Sequence, residues 1–544
     1  MKRWRTYLFA GCCAVVLGAC TGNFRDLNDD KSGITDKELE ADDNGLGYRL
    51  GIVQQGVYFN YDYGKGKNWP FQMIQNLNAD MFSGYMHDPK PLQGGSHNSD
   101  YNLQDGWNGS MWQFTYSYIM PEIYRLEQTA PEQKPAFYAI AKILKVLVMH
   151  RVTDIYGPIP YSQMLSNDNL GENLSVPYDS QEQVYTQMLK ELEEADKVLE
   201  ENKDLSSEAF RKLEDLYYGN ISKWRKFLHS MQLRIAMRMS YVNPTEAQRI
   251  AQNAVAAGVI EANEDNAMLH VAENRSELLF NNWNDYRISA DLVSVMKGYE
   301  DPRLDAMFVK GTNVVEVDGE PKEVNDFYGV RIGIFTEKKD DMINLYSKQI
   351  ISSTDPYLWM NAAEVTFLRA EGALRGWDMG GEPQALYEKA IALSFEERGA
   401  TGADKYVKDA EKKPVKYVDP MGAYSADAVS EITIAWEQGA GKEIFERNLE
   451  RIITQKWIAI FPLGLEAWAE HRRTGYPRLL PAVENKDPNN SVDIAIGPRR
   501  LPYPADEYNS NAANIAKAVQ MLGGADAAGT PLWWDAKDHS VDNN

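Results

Sequence analysis

A mainly α-helical fold, built of helix pairs with loop-rich stretches and a few short strands between them, is what this sequence predicts. Three observations lead there. Long segments place apolar residues three and four apart, the period of a helix with one buried stripe. Such segments come in pairs separated by short breaks. Between the pairs lie stretches rich in Gly, Asn, Asp and Tyr, at 60–110 and 400–430, with no regular period.

Taken in order, residues 136–150 carry polar side chains only at Lys142, Lys145 and His150, one narrow stripe on an otherwise apolar helix. Residues 181–202 place Val184, Met188, Leu192, Ala195 and Leu199 on one face. Residues 222–241 repeat the pattern with Trp224, Leu228, Met231 and Ile235, and Asn243-Pro244 stops that helix. Residues 246–257 follow, with Gly258 as the C-cap. The pair 361–377 and 383–397 alternates small residues (Ala363, Ala370, Ala373, Ala390) with Phe367, Leu374, Leu386, Tyr387 and Ile391. Small-against-large positions let helices approach closely, and the pair is similar to a degenerate tetratricopeptide hairpin. One hairpin cannot bury its own apolar face, whereas stacked hairpins can. A last pair spans 443–460 and 463–473, broken at Pro462-Gly464 and ended by Arg472, Arg473, Gly475 and Pro477. A β-hairpin is expected over 312–335, turning at Asp318-Gly319.

The N-terminus carries its own signal. Lys2, Arg3 and Arg5 precede the apolar run Leu8–Ala19, and Leu17-Gly18-Ala19 stands directly before Cys20. Twelve helical residues reach about 18 Å, short of the roughly 30 Å hydrocarbon core, so the run reads as a signal peptide and not as a membrane span. A cysteine at the cleavage point suggests a bacterial lipobox with acylation at Cys20, and several acyl chains anchor stably where one does not. The expected organisation is a signal peptide at 1–19, an acylated polar tether at 20–42 and a single domain at 43–544.

Composition narrows the function. All three cysteines are Cys12, Cys13 and Cys20, so no disulfide and no thiol chemistry is expected in the mature chain. The formal net charge of −22, made more negative by loss of three basic residues with the leader, lacks the basic footprint of a nucleic-acid binder. Many of the 13 Trp and 30 Tyr must lie in the core, yet their apolar faces and polar edges suit carbohydrate or peptide surfaces as well as interiors.

Catalytic patterns do not emerge. The seven histidines include no His-Glu-x-x-His, no phosphate loop surrounds Gly441-Lys442, and no Gly-x-Ser-x-Gly turn is found. A carboxylate pair for glycoside hydrolysis needs only to meet in space, so 79 acidic residues leave that alternative open. No cofactor is expected. A structural calcium is compatible with the acidic loops, but no loop has EF-hand spacing and no ligands are assignable.

Seven segments, in order, carry a resemblance. They are the lipobox at Cys20; Trp69 with Asn76-Leu77-Asn78-Ala79-Asp80-Met81-Phe82; and Asp154-Ile155-Tyr156-Gly157-Pro158-Ile159-Pro160-Tyr161-Ser162. Then come Tyr299-Glu300-Asp301-Pro302-Arg303-Leu304; Ala363-Glu364 with Phe367 to Glu371; Arg451 to Trp457 with Glu466, Trp468 and Arg472 to Gly475; and Arg500-Leu501-Pro502-Tyr503-Pro504. The chain resembles the SusD/RagB family of nutrient-binding outer-membrane lipoproteins. Two of these segments also read as structural: the Tyr156–Pro160 turn as a rigid loop, and Asp301-Pro302-Arg303 as a helix start with Asp at N-cap and Pro at N1.

The resemblance implies a SusD-like helical fold lying as a lid on a SusC-type TonB-dependent barrel in the outer membrane. It implies capture of an oligosaccharide, or of an oligopeptide, without covalent chemistry; a surface glycosidase is the rival reading. It points to ligand contacts from early loops and mid-chain aromatics: Tyr61, Tyr63, Trp69, Asn76, Asp80, Trp107, Trp283 and Tyr286. Indole and phenol faces stack on sugar rings, and Asn and Asp bond hydroxyls or peptide groups. Trp69, Trp107 and Trp112 also fit core anchors.

Overall fold

A computed structural model describes residues 43–60, 69–88, 97–128, 132–164, 175–203, 208–317, 320–335 and 343–537. Cys20, Tyr61 and Tyr63, with the leader and tether, lie outside them. The longer helices are α1 (Asn44–Gly56), α2 (Pro135–Tyr156), α3 (Gln181–Glu201), α4 (Ile221–Arg238), α5 (Pro244–Ala257) and α6 (Ala290–Gly298). They continue with α7 (Ala362–Leu374), α8 (Pro383–Glu397), α9 (Lys442–Ala459), α10 (Gly464–Thr474) and α11 (Ala512–Met521). α2 packs on α3, α4 on α5, and α7 on both α8 and α9. None of the described helices is long and apolar enough to cross a membrane.

Local chemistry sets the helix ends. Ser180 and Gln183 form a capping box at the start of α3. Asn220, Asn243 and Asn361 accept the backbone N–H three residues on, opening α4, α5 and α7. Gly157, at φ +88°, ends α2, and Gly475, at φ +81°, ends α10.

Among the described residues eight strands form four two-stranded antiparallel pairs: β1 (Met86–His87) with β3 (Arg287–Ile288), β2 (Ala267–Leu269) with β8 (Tyr357–Met360), β4 (Phe308–Val309) with β7 (Lys348–Gln349), and β5 (Gly311–Val317) with β6 (Glu320–Asp326). The β5–β6 pair is the expected hairpin.

Three expectations are refined. The stretch at 60–110 is not one long loop: helical turns at Gln72–Asn76, Ala79–Phe82, Asp105–Asn108 and Ser110–Phe114 run through it, because Ile74, Leu77, Met81, Phe82 and Met111 are buried. The polar stripe of α2 meets carboxylates, not water; Lys145 lies 2.8 Å from Glu191 and buried His150 lies 3.4 Å from Asp154. The turn at Asp301 starts its helix at Arg303, one residue late. Asp301 is fully buried and accepts both the Arg303 backbone N–H (2.9 Å) and its guanidinium (2.9 and 2.6 Å).

Apolar side chains from every long helix join one core, and a charged network runs through it. Arg234 on α4 donates twice to Glu364 on α7 (2.7 and 2.8 Å). Arg238, one turn on, reaches Asp154, Glu466 and Glu470. Arg473 on α10 bridges Glu371 and Glu470, and Lys456 on α9 lies 3.3 and 3.2 Å from Glu466 and Glu470. Such a network imposes one relative placement on α4, α7, α9 and α10, because any misplacement strands a charge in low dielectric.

Candidate functional site

Two segments distant in sequence meet through β1 and β3, where Met86 pairs with Ile288 and His87 with Arg287. Gln72 Nε2 also donates to Asp285 Oδ2 at 2.7 Å, tying the early helical turn to the mid-chain segment. The union brings the turn that carries Asn76 against the segment just past Trp283. Trp283 is half-buried just past the turn Leu278–Asn282, and Lys348 donates to Asn281 Oδ1 there at 2.8 Å. Asn284 is held at φ +53°, a conformation Asn tolerates better than most residues.

Asn76 and Asp80 line a cavity of about 200 Å³. Its wall is aromatic: Tyr357 stacks on Tyr58 at 5.7 Å and lies 5.6 Å from Phe71. Ile350, half exposed, and Asp355 stand where the cavity meets solvent. Charge sits at its inner end. Asp80 is buried and accepts from Asn76 Nδ2 at 2.8 Å. Burial pushes its carboxyl up to about 7, against the opposing charge of Arg151 and the hydrogen bonds from Asn76 and the Gly464 backbone. Gly464 is required by this approach, since a β-carbon there would overlap the Asp80 carboxylate. Arg151 lies over the Tyr58 ring at 4.4 Å and donates from Nη2 to Gln75 Oε1 at 2.7 Å. Gln75 Nε2 and Asn76 Oδ1, both buried cavity-lining atoms, have no hydrogen-bond partner in the described protein.

The remaining expected residues divide. Trp69 is half-buried with its ring edge-on to Phe114 at 5.6 Å. Trp107 is half-buried 5.5 Å from His97, which lies 4.8 Å from Phe335. Trp112 is buried, with Nε1 donating to Glu507 at 3.1 Å, a core anchor. Tyr286 is fully buried beside Phe280; its position directly before β3 turns the ring inward, so it serves the core and not the ligand face. Sequence reasoning missed Tyr58, Gln75, Gln349 and Tyr357. Gln75 adjoins the Asn76–Phe82 run and could have been found there; Tyr357 and Gln349 come from strands that no local pattern marks. Among the described residues no three His, Cys, Asp or Glu side chains gather as a metal site requires.

A helical scaffold carrying a cavity lined by aromatic and amide side chains has the build of a small-ligand binding protein. The sequence pattern of the SusD-like family, described as SusD and RagB outer membrane lipoprotein, matches residues 26–535. The chain belongs to that family of binding proteins, and its fold is SusD-like. Among solved structures it is similar to a SusD homologue from Bacteroides thetaiotaomicron, at 44% identity over 91% of this chain and 99% of that one, with a TM-score of 0.82. A chitin-binding SusD homologue from Flavobacterium johnsoniae is 38% identical over 91% of this chain and 99% of that one, at 0.81. A third homologue, from Bacteroides uniformis, is 37% identical over 90% and 99%, at 0.81. No match is found among the curated proteins.

Proposed function

We propose that this chain is a cell-surface lipoprotein that captures an oligosaccharide and hands it to a SusC-type TonB-dependent transporter, with no covalent chemistry and no cofactor. The observation that carries the reading is the aromatic cavity lined by Gln75, Asn76 and Asp80, in a family member 38% identical to a chitin-binding homologue. Aromatic faces and side-chain amides are the groups that stack on and hydrogen-bond to sugars. Residues 1–19 serve as the leader and Cys20 carries the acyl chains that hold the protein in the outer membrane. Strong acidity keeps the domain away from anionic headgroups.

Calorimetry against a glycan panel tests the first part: saturable binding without new reducing ends is expected. Appearance of reducing ends would establish a glycosidase instead, and binding of oligopeptides alone would replace the ligand class. Detergent extraction followed by pull-down tests the second part, with a large TonB-dependent barrel expected to co-purify. A Cys20→Ser form still fixed in the membrane would refute the anchor.

A further inference from the structure

We propose that the groove between the first turns of α8 and α9 is a second glycan site, separate from the aromatic cavity. The inference rests on the glycan reading above and adds a second place of contact to it.

The groove has a volume of about 560 Å³. Its floor is apolar: Trp436 and Phe445 line it half-buried, with Ile444 and Leu374 beside them. Trp436 packs on Tyr387 at 5.6 Å, and the Tyr387 hydroxyl donates to the Ile434 carbonyl at 2.8 Å. The segment that carries Trp436 is pinned to α9, because buried Asn448 accepts the Glu437 N–H at 3.1 Å and donates to the Glu437 carbonyl at 2.9 Å. Gln438 Nε2 donates to Gln384 Oε1 at 2.7 Å and so joins the same segment to α8. The lip is Gly439-Ala440-Gly441, with both glycines at positive φ (+121° and +113°), so one methyl group is the only side chain there. Regular elements hold this platform in place before a ligand arrives.

What the groove recognises follows from its solvent-facing groups. Among the described residues that line it there is no lysine or arginine, while exposed Glu382 contributes a carboxylate. The nearest guanidinium, Arg375 over the Phe445 ring at 5.8 Å, is paired with Glu371. An anionic ligand is repelled by Glu382 and by the net charge of −22. The Glu382 carboxylate and Gln438 Oε1 belong to exposed side chains, take no partner among the described residues, and accept hydrogen bonds from hydroxyls. The Trp436 indole offers an apolar face with an N–H at its edge. Aromatic faces below and acceptors at the rim match a neutral pyranose, which has C–H faces and hydroxyl donors around its ring.

Position gives the site its use. The far ends of the same two helices reach the aromatic cavity, which is lined by Glu397 and Arg398 at the end of α8 and by Phe461 to Leu463 just past α9. At 1.5 Å per residue α8 spans about 22 Å and α9 about 27 Å. A short oligomer therefore fills one site at a time. A long glycan engages both, and its second contact is intramolecular, which tightens binding with no new group on the protein.

Calorimetry on wild type with cellotriose, maltotriose and the N-acetylglucosamine trimer tests this. Two trimers per chain are expected for the glycan that binds. Trp436→Ala is expected to reduce that to one, with the affinity of the remaining site unchanged. Gln438→Ala, at an exposed position, is expected to weaken the second site about threefold to tenfold without moving the thermal midpoint, which separates lost contact from a folding defect. In native gels containing the matching polymer (hydroxyethyl cellulose, glycogen or glycol chitin), Trp436→Ala is expected to bind about tenfold more weakly or worse. One trimer per chain in wild type, with polymer binding unchanged in Trp436→Ala, would overturn the inference and leave the glycan reading intact. Tetraalanine binding or self-association that Trp436→Ala abolishes would also overturn it, by giving the groove to a peptide or to a second copy. Uptake of none of the three trimers would overturn it as well, whereas failure of every glycan on a wider array would remove the reading beneath it.

Discussion

Arg473 and Glu371 meet as a two-pronged pair, Nη1 to Oε1 at 2.7 Å and Nη2 to Oε2 at 2.6 Å, with both side chains out of solvent. They are 102 residues apart in sequence and join α10 to α7. Glu371 also accepts from Arg375, and Glu470 shares Arg473 with it. Arg473→Met would leave the two glutamates short of one cation in low dielectric. A loss of about 3–5 kcal/mol is expected, read as a lower denaturant midpoint.

The same network gives an acid limb to stability. Burial alone would raise Glu466, but Arg238, Lys456 and Arg234 outweigh it and hold its carboxyl at about 2. Burial is likewise outweighed at Glu470, held well below the ordinary range by Arg473, Lys456 and Arg238, and at Glu371, lowered by Arg473 and Arg375. Carboxyls lowered in the folded state stabilise fully above their unfolded value near 4.5, and that stabilisation drains as pH falls toward 2. Thermal scans from pH 6 down to pH 2.5 are expected to show the steepest fall below pH 4.5. Arg238→Met is expected to flatten that fall.

Asp80 has the opposite sign. Its folded value, pushed up to about 7 by burial, lies above the unfolded value of 3.8. Its contribution is therefore complete below pH 3.8 and is lost as pH rises through 7. Asp80→Asn removes the penalty of ionising in the cavity. Between pH 5 and 8 the variant is expected to gain about 2–3 kcal/mol on wild type, measured by urea unfolding at the two pH values.

Gly464 begins α10 against the Asp80 backbone, and a β-carbon there would come within 2.8 Å of the Asp80 Cα as well as striking the carboxylate. Gly464→Ala is expected to cost about 1–3 kcal/mol by overpacking. Because Asp80 must move, the variant is also expected to lose the wild-type dependence of stability on pH between 5 and 8.

Trp283 is half-buried and Tyr286 fully buried, so substitutions at the two are expected to differ in effect. Trp283→Ala is expected to weaken glycan binding about tenfold through lost ring contact, with the thermal midpoint unchanged. Tyr286→Ala empties a fully buried site and is expected to cost about 3 kcal/mol or more of stability. Calorimetry and thermal unfolding on both variants check the pair.

The helices were legible in the sequence because their apolar period is long and their ends are marked: Gly258 and Gly475 cap their helices as expected, while α4 ends at Arg238 and Asn243-Pro244 opens α5 instead of stopping α4. The Tyr156–Pro160 turn was legible for the same reason, with Gly157 at positive φ. The site was legible only in part. Asn76 and Asp80 do line the cavity, but their burial, and the charges that orient Gln75 and Asn76, depend on Arg151 and Gly464, which arrive from α2 and α10. Tyr286 and Trp283 carry similar side chains three residues apart, and only the pairing of β3 with β1 turns one inward. The buried charges were the least legible. Glu364, Glu371, Glu466 and Arg473 read locally as polar helix positions and become a network only when four helices converge.

The indole of Trp534 donates to Asp154 Oδ1 at 2.9 Å in the middle of the molecule, 380 residues earlier in the chain. Arg238 and Arg472 both lie against that indole. That one ring thus plugs the centre, and without it the Asp154 carboxylate loses a donor and two guanidinium groups lose the face they lie against. The interior closes only where segments from opposite ends of this fold meet.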